Sequence, residues 1–142
     1  MAIDLKDIVT ISGYSGLFKS IKPTHHGLVV ERIDHQKKRF IQHNKTPKTA
    51  ALESISIYTT AEEPLPLSVI LWRLYAEFAA VVDTNLYDTP GKLCALMERI
   101  VPNYDPKRVY TSNIWKIIHW YNILVVYTPE LFLTEAQETP IA

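Results

Sequence analysis

The hydrophobic period of the chain changes once, at the segment AEEPLP (61–66), and no other feature constrains the fold as much. Before it, apolar residues fall in short runs rich in Val, Ile, Phe and Thr with a period near two; after it they recur with a period near 3.6. Side chains alternate between faces along a strand, whereas residues three and four apart share a face of a helix. The pattern therefore predicts a β part followed by an α part. The separator carries two prolines and two acids, the composition of a boundary. Three segments follow from it: a β domain over 1–61, a three-helix domain over 62–128, and a flexible tail over 129–142, where no apolar repeat continues after Leu133.

In the β part, five strands are predicted near 8–12, 17–22, 28–33, 39–43 and 54–59, separated by turns containing Gly, Pro or Asn. Gly13 and Gly16 supply the positive φ that a tight connection between the first two strands requires. Five short strands with hairpin-like links bury their inner faces by curling into a small SH3-like barrel; an open sheet covered by the second half is the alternative. The expected class is α+β: a small five-stranded SH3-like barrel followed by a three-helix unit packed against it.

The helices read as 67–82, 89–101 and 111–127. The first places Leu67, Ile70, Leu71, Leu74, Phe78, Val81 and Val82 on one face. Thr89 as N-cap and Pro90 at the first helical position start the second. The third carries Ile114, Ile117, Ile118, Tyr121 and Leu124 on its main stripe, with Trp115, Trp120, Val125 and Val126 off it. A helix apolar almost all round belongs at the centre of its bundle or between the two halves.

With these elements placed, the segments LKDIVTISGYSGLFK (5–19), ALESISIYTTAEEPLPL (51–67) and VPNYDPKRVYTSNIWKIIHWYNIL (101–124) carry a resemblance. In that order the chain resembles a bacterial family of small proteins of unknown function that join an SH3-like barrel to a compact helical part. The resemblance spans most of residues 4–125. It implies the architecture and brings no activity, cofactor or catalytic residue with it. The chain departs from the family in lacking a glycine in the turn at 34–37.

Charge divides with the period. Residues 1–60 hold nine Lys/Arg against five Asp/Glu, and 61–142 hold six against ten. The first part is thus +4 and the second −4, which predicts either a basic contact surface or the docking of the two parts on each other. Cys94 is the only cysteine, so an intramolecular disulfide is impossible and a reducing compartment fits. The start has acids and no cationic flank leading into an apolar run, and no stretch reaches about 18 apolar residues. The expectation is a soluble, cytoplasmic protein with no membrane partner.

Four of the five histidines lie in HHGLVVERIDHQKKRFIQH (25–43), but pairing Glu31 with Arg39 and Val30 with Phe40 spreads them between the two ends of a hairpin. At most two meet, too few for a zinc site, and no metal or cofactor is expected. Lys37, Lys38 and Arg39, with Lys19 and Lys22 nearby, form the candidate nucleic-acid surface, and Tyr14, Phe18 or Phe40 the bases' stacking partners. The competing reading of the same cations is a solvated hairpin tip that blocks edge-to-edge pairing. Trp115, Trp120 and Tyr14 are the candidate protein-interface residues, because exposed Trp and Tyr anchor interfaces. Trp115 and His119 share a helix face, where core packing is the simpler role. No phosphate-binding glycine loop, nucleophile elbow or His-Glu-x-x-His occurs, and Cys94 sits among apolar helical neighbours. The sequence therefore predicts a non-enzymatic protein-protein interaction module, self-association included, with weak RNA or DNA binding as the alternative.

Overall fold

A computed structural model describes residues 2–43 and 49–133. Five strands, β1 (Ile8–Ile11), β2 (Phe18–Thr24), β3 (Gly27–Arg32), β4 (Arg39–His43) and β5 (Thr49–Ala51), form an antiparallel sheet in the order β4-β3-β2-β1-β5. The β3–β4 register pairs Glu31 with Arg39 and Val30 with Phe40, as their cross-strand chemistry predicts. A two-residue turn, His25 and His26, closes β2 on β3, with the Thr24 hydroxyl donating to the Gly27 carbonyl and accepting from the His26 N–H.

The sheet is open. Among the described residues nothing pairs β4 with β5, so the closed barrel expected from the sequence is found as a five-stranded sheet with two edges. The reason lies in the fifth strand. Residues 54–59, expected to fill that place, instead end a short 3-10 turn (Leu52–Ser54) and contribute β6 (Ser56–Ile57), which pairs with β7 (Leu65–Pro66) in a separate two-stranded ribbon. The sheet takes the three-residue β5 in their stead, paired with β1 alone.

The two sheet faces differ in composition. Val9, Ile11, Phe18 and Val30 gather on one face with Leu28 and Phe40, forming a small apolar core of their own. The opposite face carries Lys19, Glu31 and Arg39 in one cross-strand row. A register shift between Ser20 and Lys22 inserts one residue into β2, which puts Lys22, three positions from Lys19, on that same face.

Three helices follow: α1 (Leu67–Phe78), α2 (Pro90–Ile100) and α3 (Thr111–Tyr127). Thr89 caps α2, its hydroxyl accepting from the Lys92 N–H, with Pro90 in the first turn as expected. The apolar stripes of all three helices share one core with Ile3, Leu5, Ile8, Leu17, Leu52 and Ile57, so the packing runs without a break from the β part to the α part.

Two corrections concern the helical part. The apolar pattern continues α1 through Val82, but the helix stops at Phe78 because Ala79 takes a left-handed conformation (φ 55°). The backbone groups left over are taken by α3: the Tyr121 hydroxyl donates to the Ala80 carbonyl at 2.7 Å, and the Asn122 amide accepts from the Val82 N–H at 2.8 Å and donates to its carbonyl at 3.0 Å. Burial, and secondarily Tyr75, raises the Tyr121 phenol well above its ordinary pKa. The second correction is at 129–133, expected to begin a flexible tail. This segment makes a helical turn that buries Phe132 completely, stacked on Tyr75 (ring centroids 4.8 Å) and edge-on to Tyr121 (5.8 Å). The rest of the expected tail lies outside the described residues.

Candidate interaction cleft

Between the β1–β2 loop and α3 lies a cleft of about 520 Å³ that brings the three candidate interface residues, Tyr14, Trp115 and Trp120, together. The loop is shaped by its glycines: Gly13 and Gly16 have φ of 88° and 85°, and the Tyr14 N–H bonds back to the Ile11 carbonyl. Tyr14 is then fixed by its ring, which stacks on Phe40 (5.7 Å) and meets Phe18 edge-on (6.0 Å), yet it stays 49% exposed. Gly16 serves a second purpose. A Cβ there would come within 3.1 Å of Arg32 Nη2, whose guanidinium lies over the Phe18 ring and reaches Ser15 Oγ at 3.5 Å.

The opposite wall is a strip of α3. Trp115 and His119, one turn apart, tilt together with ring centroids 5.0 Å apart, and Trp115 is 37% exposed. Lys116 and Trp120 make the neighbouring pair four residues apart, and Trp120 is half-buried against the main core. Core packing, the simpler role, thus holds in part for Trp120, while Trp115 faces outward. Lys116 and Trp120 also line a smaller adjoining cleft of about 170 Å³, where Arg108 lies 4.3 Å from the centre of the exposed Tyr58 ring. Tyr58 and Arg108 have no sequence pattern to mark them; their proximity depends on Asp105, whose N–H bonds to the Tyr58 carbonyl and whose carboxylate holds Arg108 at 2.9 Å.

At the other end of the sheet, the candidate nucleic-acid residues are exposed. Arg39 is paired with Glu31 at 3.0 Å, and Lys19 stands opposite the same glutamate. Lys37 and Lys38 occupy the tip, where Lys37 adopts φ 51°, a left-handed conformation that favours glycine. Asp34 holds this turn by accepting from the Gln36 and Lys37 N–H groups at 2.9 Å and pairing with Arg32 at 3.1 Å. The Lys37 N–H foremost, then Gln36 and Arg32, keep its carboxyl below the usual carboxylate range. The register separates this surface from its intended stacking partners. Phe18 and Phe40 lie on the opposite face from Lys19, Lys22 and Arg39, and Phe18 is fully buried.

Elsewhere, no group of three metal-ligating side chains forms among the described residues. Cys94 is half-buried beside Tyr104, whose phenol is pushed up by burial and by the thiol. No described helix is long and apolar enough to cross a membrane.

The molecule is thus a mixed α+β protein in which an open five-stranded sheet, with a small cluster of its own, joins three helices in a larger core and frames an aromatic cleft with them. Residues 5–51 match a domain of unknown function (DUF5606), and residues 55–124 match a second domain of unknown function (DUF6852). A solution NMR structure of a protein from Bacteroides vulgatus is 39% identical, with 86% of each chain covered and a TM-score of 0.69. The chain belongs to the same small bacterial family as that protein. None of the curated proteins matches it.

Proposed function

We propose that the protein is a non-enzymatic interaction module that binds a protein partner, a second copy of itself included, through the cleft between the β1–β2 loop and α3. The observation that carries this reading is the convergence of Tyr14 from the loop with Trp115 and Trp120 from the helix on one concave surface. Rigid aromatic rings that keep exposed area are the usual anchors of interfaces. The strand order β4-β3-β2-β1-β5 is also what a small SH3-like barrel has when opened between its last two strands, and we read the β part as that barrel in open form. The lone Cys94 supports the bacterial cytoplasm as its working compartment.

The test is affinity capture with the full chain beside its Tyr14→Ala and Trp115→Ala variants, combined with analytical ultracentrifugation. A partner or self-associated species lost in both variants supports the cleft. A monomer that recovers no protein, or a partner indifferent to both substitutions, refutes it. A second reading keeps one favourable observation: among the described residues Lys37 and Lys38 are exposed and in no ion pair. It expects salt-sensitive binding of single-stranded oligonucleotides that disappears when Lys37, Lys38 and Arg39 become alanine. Absence of binding at low salt ends it.

A further inference from the structure

We infer that the cleft takes an acidic peptide segment of a partner protein, in which an apolar or aromatic side chain is followed closely by a carboxylate. This rests on the reading of the cleft as an interaction surface and assigns it a ligand chemistry. The cleft lining contains Lys116 and His119 and, among the described residues, no carboxylate. The adjoining small cleft adds Arg108 and again no carboxylate. The α3 wall of both clefts comes from the half of the chain that carries ten acids against six cations, yet it places none of the described acids in either lining.

The other cations of this half are mostly engaged. Arg99 holds Glu77 at 2.9 Å, Lys92 holds Asp88 at 3.2 Å, Arg108 holds Asp105 at 2.9 Å, and Arg73 donates to the Ile100 carbonyl at 3.1 Å. Lys116 has no acidic partner among the described residues, is exposed, and stands where the two clefts meet. Beside it, the Trp115 and Tyr14 rings offer apolar walls, and the Ser12 and Ser15 hydroxyls offer hydrogen-bond donors along the facing loop. An ammonium next to aromatic walls selects a ligand with a carboxylate next to an apolar group.

The count of cations separates a peptide from a nucleic acid. A chain that tracks a phosphate backbone commonly neutralises on the order of six to ten charges. The cleft presents one unpaired ammonium, enough for a carboxylate and too little for a polyanion.

The experiment pans a random displayed peptide library against the full chain, then titrates enriched peptides into isotope-labelled protein with the Trp115 and Trp120 indole N–H signals as reporters. The expected peptides carry Asp or Glu within two residues of an apolar side chain and move both indoles. Replacing that Glu by Gln weakens binding about fivefold, the scale of a partly exposed ion pair. Lys116→Glu, at an exposed position, removes the acidic preference, and Lys116→Gln reproduces the loss seen with the Gln peptide. Enriched peptides that move the indoles but tolerate Glu→Gln overturn the acidic ligand and leave the interaction surface standing. Enriched peptides that leave both indoles unmoved overturn both readings. A single-stranded oligonucleotide that moves the indoles where acidic peptides do not overturns the inference in favour of nucleic acid.

Discussion

The hairpin end of the sheet and the α3 cleft contain the same materials, cations and aromatic rings, in opposite arrangements. On the hairpin, Arg39 and Phe40 are neighbours in sequence, and strand alternation sends them to opposite faces. On α3, Lys116 and Trp120 are four residues apart, and the helical period returns them to the same strip, next to Trp115 and His119. A period of two separates adjacent chemistry; a period of 3.6 collects chemistry that is spread out. The basic run that stands out in the sequence is therefore separated from its aromatic neighbours, whereas scattered residues of α3 gather on one strip.

This contrast breaks most severely if α3 loses its backing. Phe132→Ala empties a fully buried site between Tyr75 and Tyr121, and a loss of about 3–5 kcal/mol is expected in urea denaturation. A change under about 1 kcal/mol would mean that the last turn is not part of the core. The next test separates charge from conformation at the hairpin tip. Lys37→Gly removes a cation but relieves a left-handed backbone, so stability should rise by about 0.5–1 kcal/mol in the same assay. If oligonucleotide binding exists and falls while stability rises, the tip acts through charge.

The smallest effect is local and depends on pH. Because the folded-state pKa of Asp34 is depressed, its contribution is complete above the unfolded value of about 3.9 and fades as pH falls through the lower folded value. The amide signals of Gln36 and Lys37 should therefore shift only in acid, below the range of an ordinary carboxylate. The Trp120 indole signal should hold steady over the same interval, since the linings of the two clefts it borders have no carboxylate among the described residues. A Trp120 shift in step with Gln36 and Lys37 would show that the two regions are coupled.

Much of this fold is legible in the sequence wherever a pattern is long and local. The first four strands, the β3–β4 register, the Thr89 cap and the apolar stripe Leu67, Ile70, Leu71 and Leu74 follow from periodicity and side-chain chemistry. What escapes is short or settled at a distance. The β5 segment is only Thr-Ala-Ala and has no alternation to read. Helix-compatible residues continue past Phe78, and α1 ends where it does with its exposed backbone groups bound by Tyr121 and Asn122, about 40 residues along the chain. Phe132 follows Pro129 without apolar neighbours in register, so nothing local marks it as core. Tyr14, Trp115 and Trp120 are each conspicuous, but their convergence depends on how the glycine-bearing loop folds over α3.

The core shared by sheet and helices carries a consequence for inheritance. The two domains of unknown function meet at a seam in the sequence, residues 52–54, but Leu52 lies fully buried in the seam, and Ile3, Leu5, Ile8 and Leu17 lie under the helices rather than within the sheet's own cluster. A gene fragment encoding the sheet alone would specify a bare oily underside, and one encoding the helices alone would specify a bundle without its lid. Each segment buries its apolar face on the other, so the two are expected to be inherited as a pair rather than exchanged as portable parts.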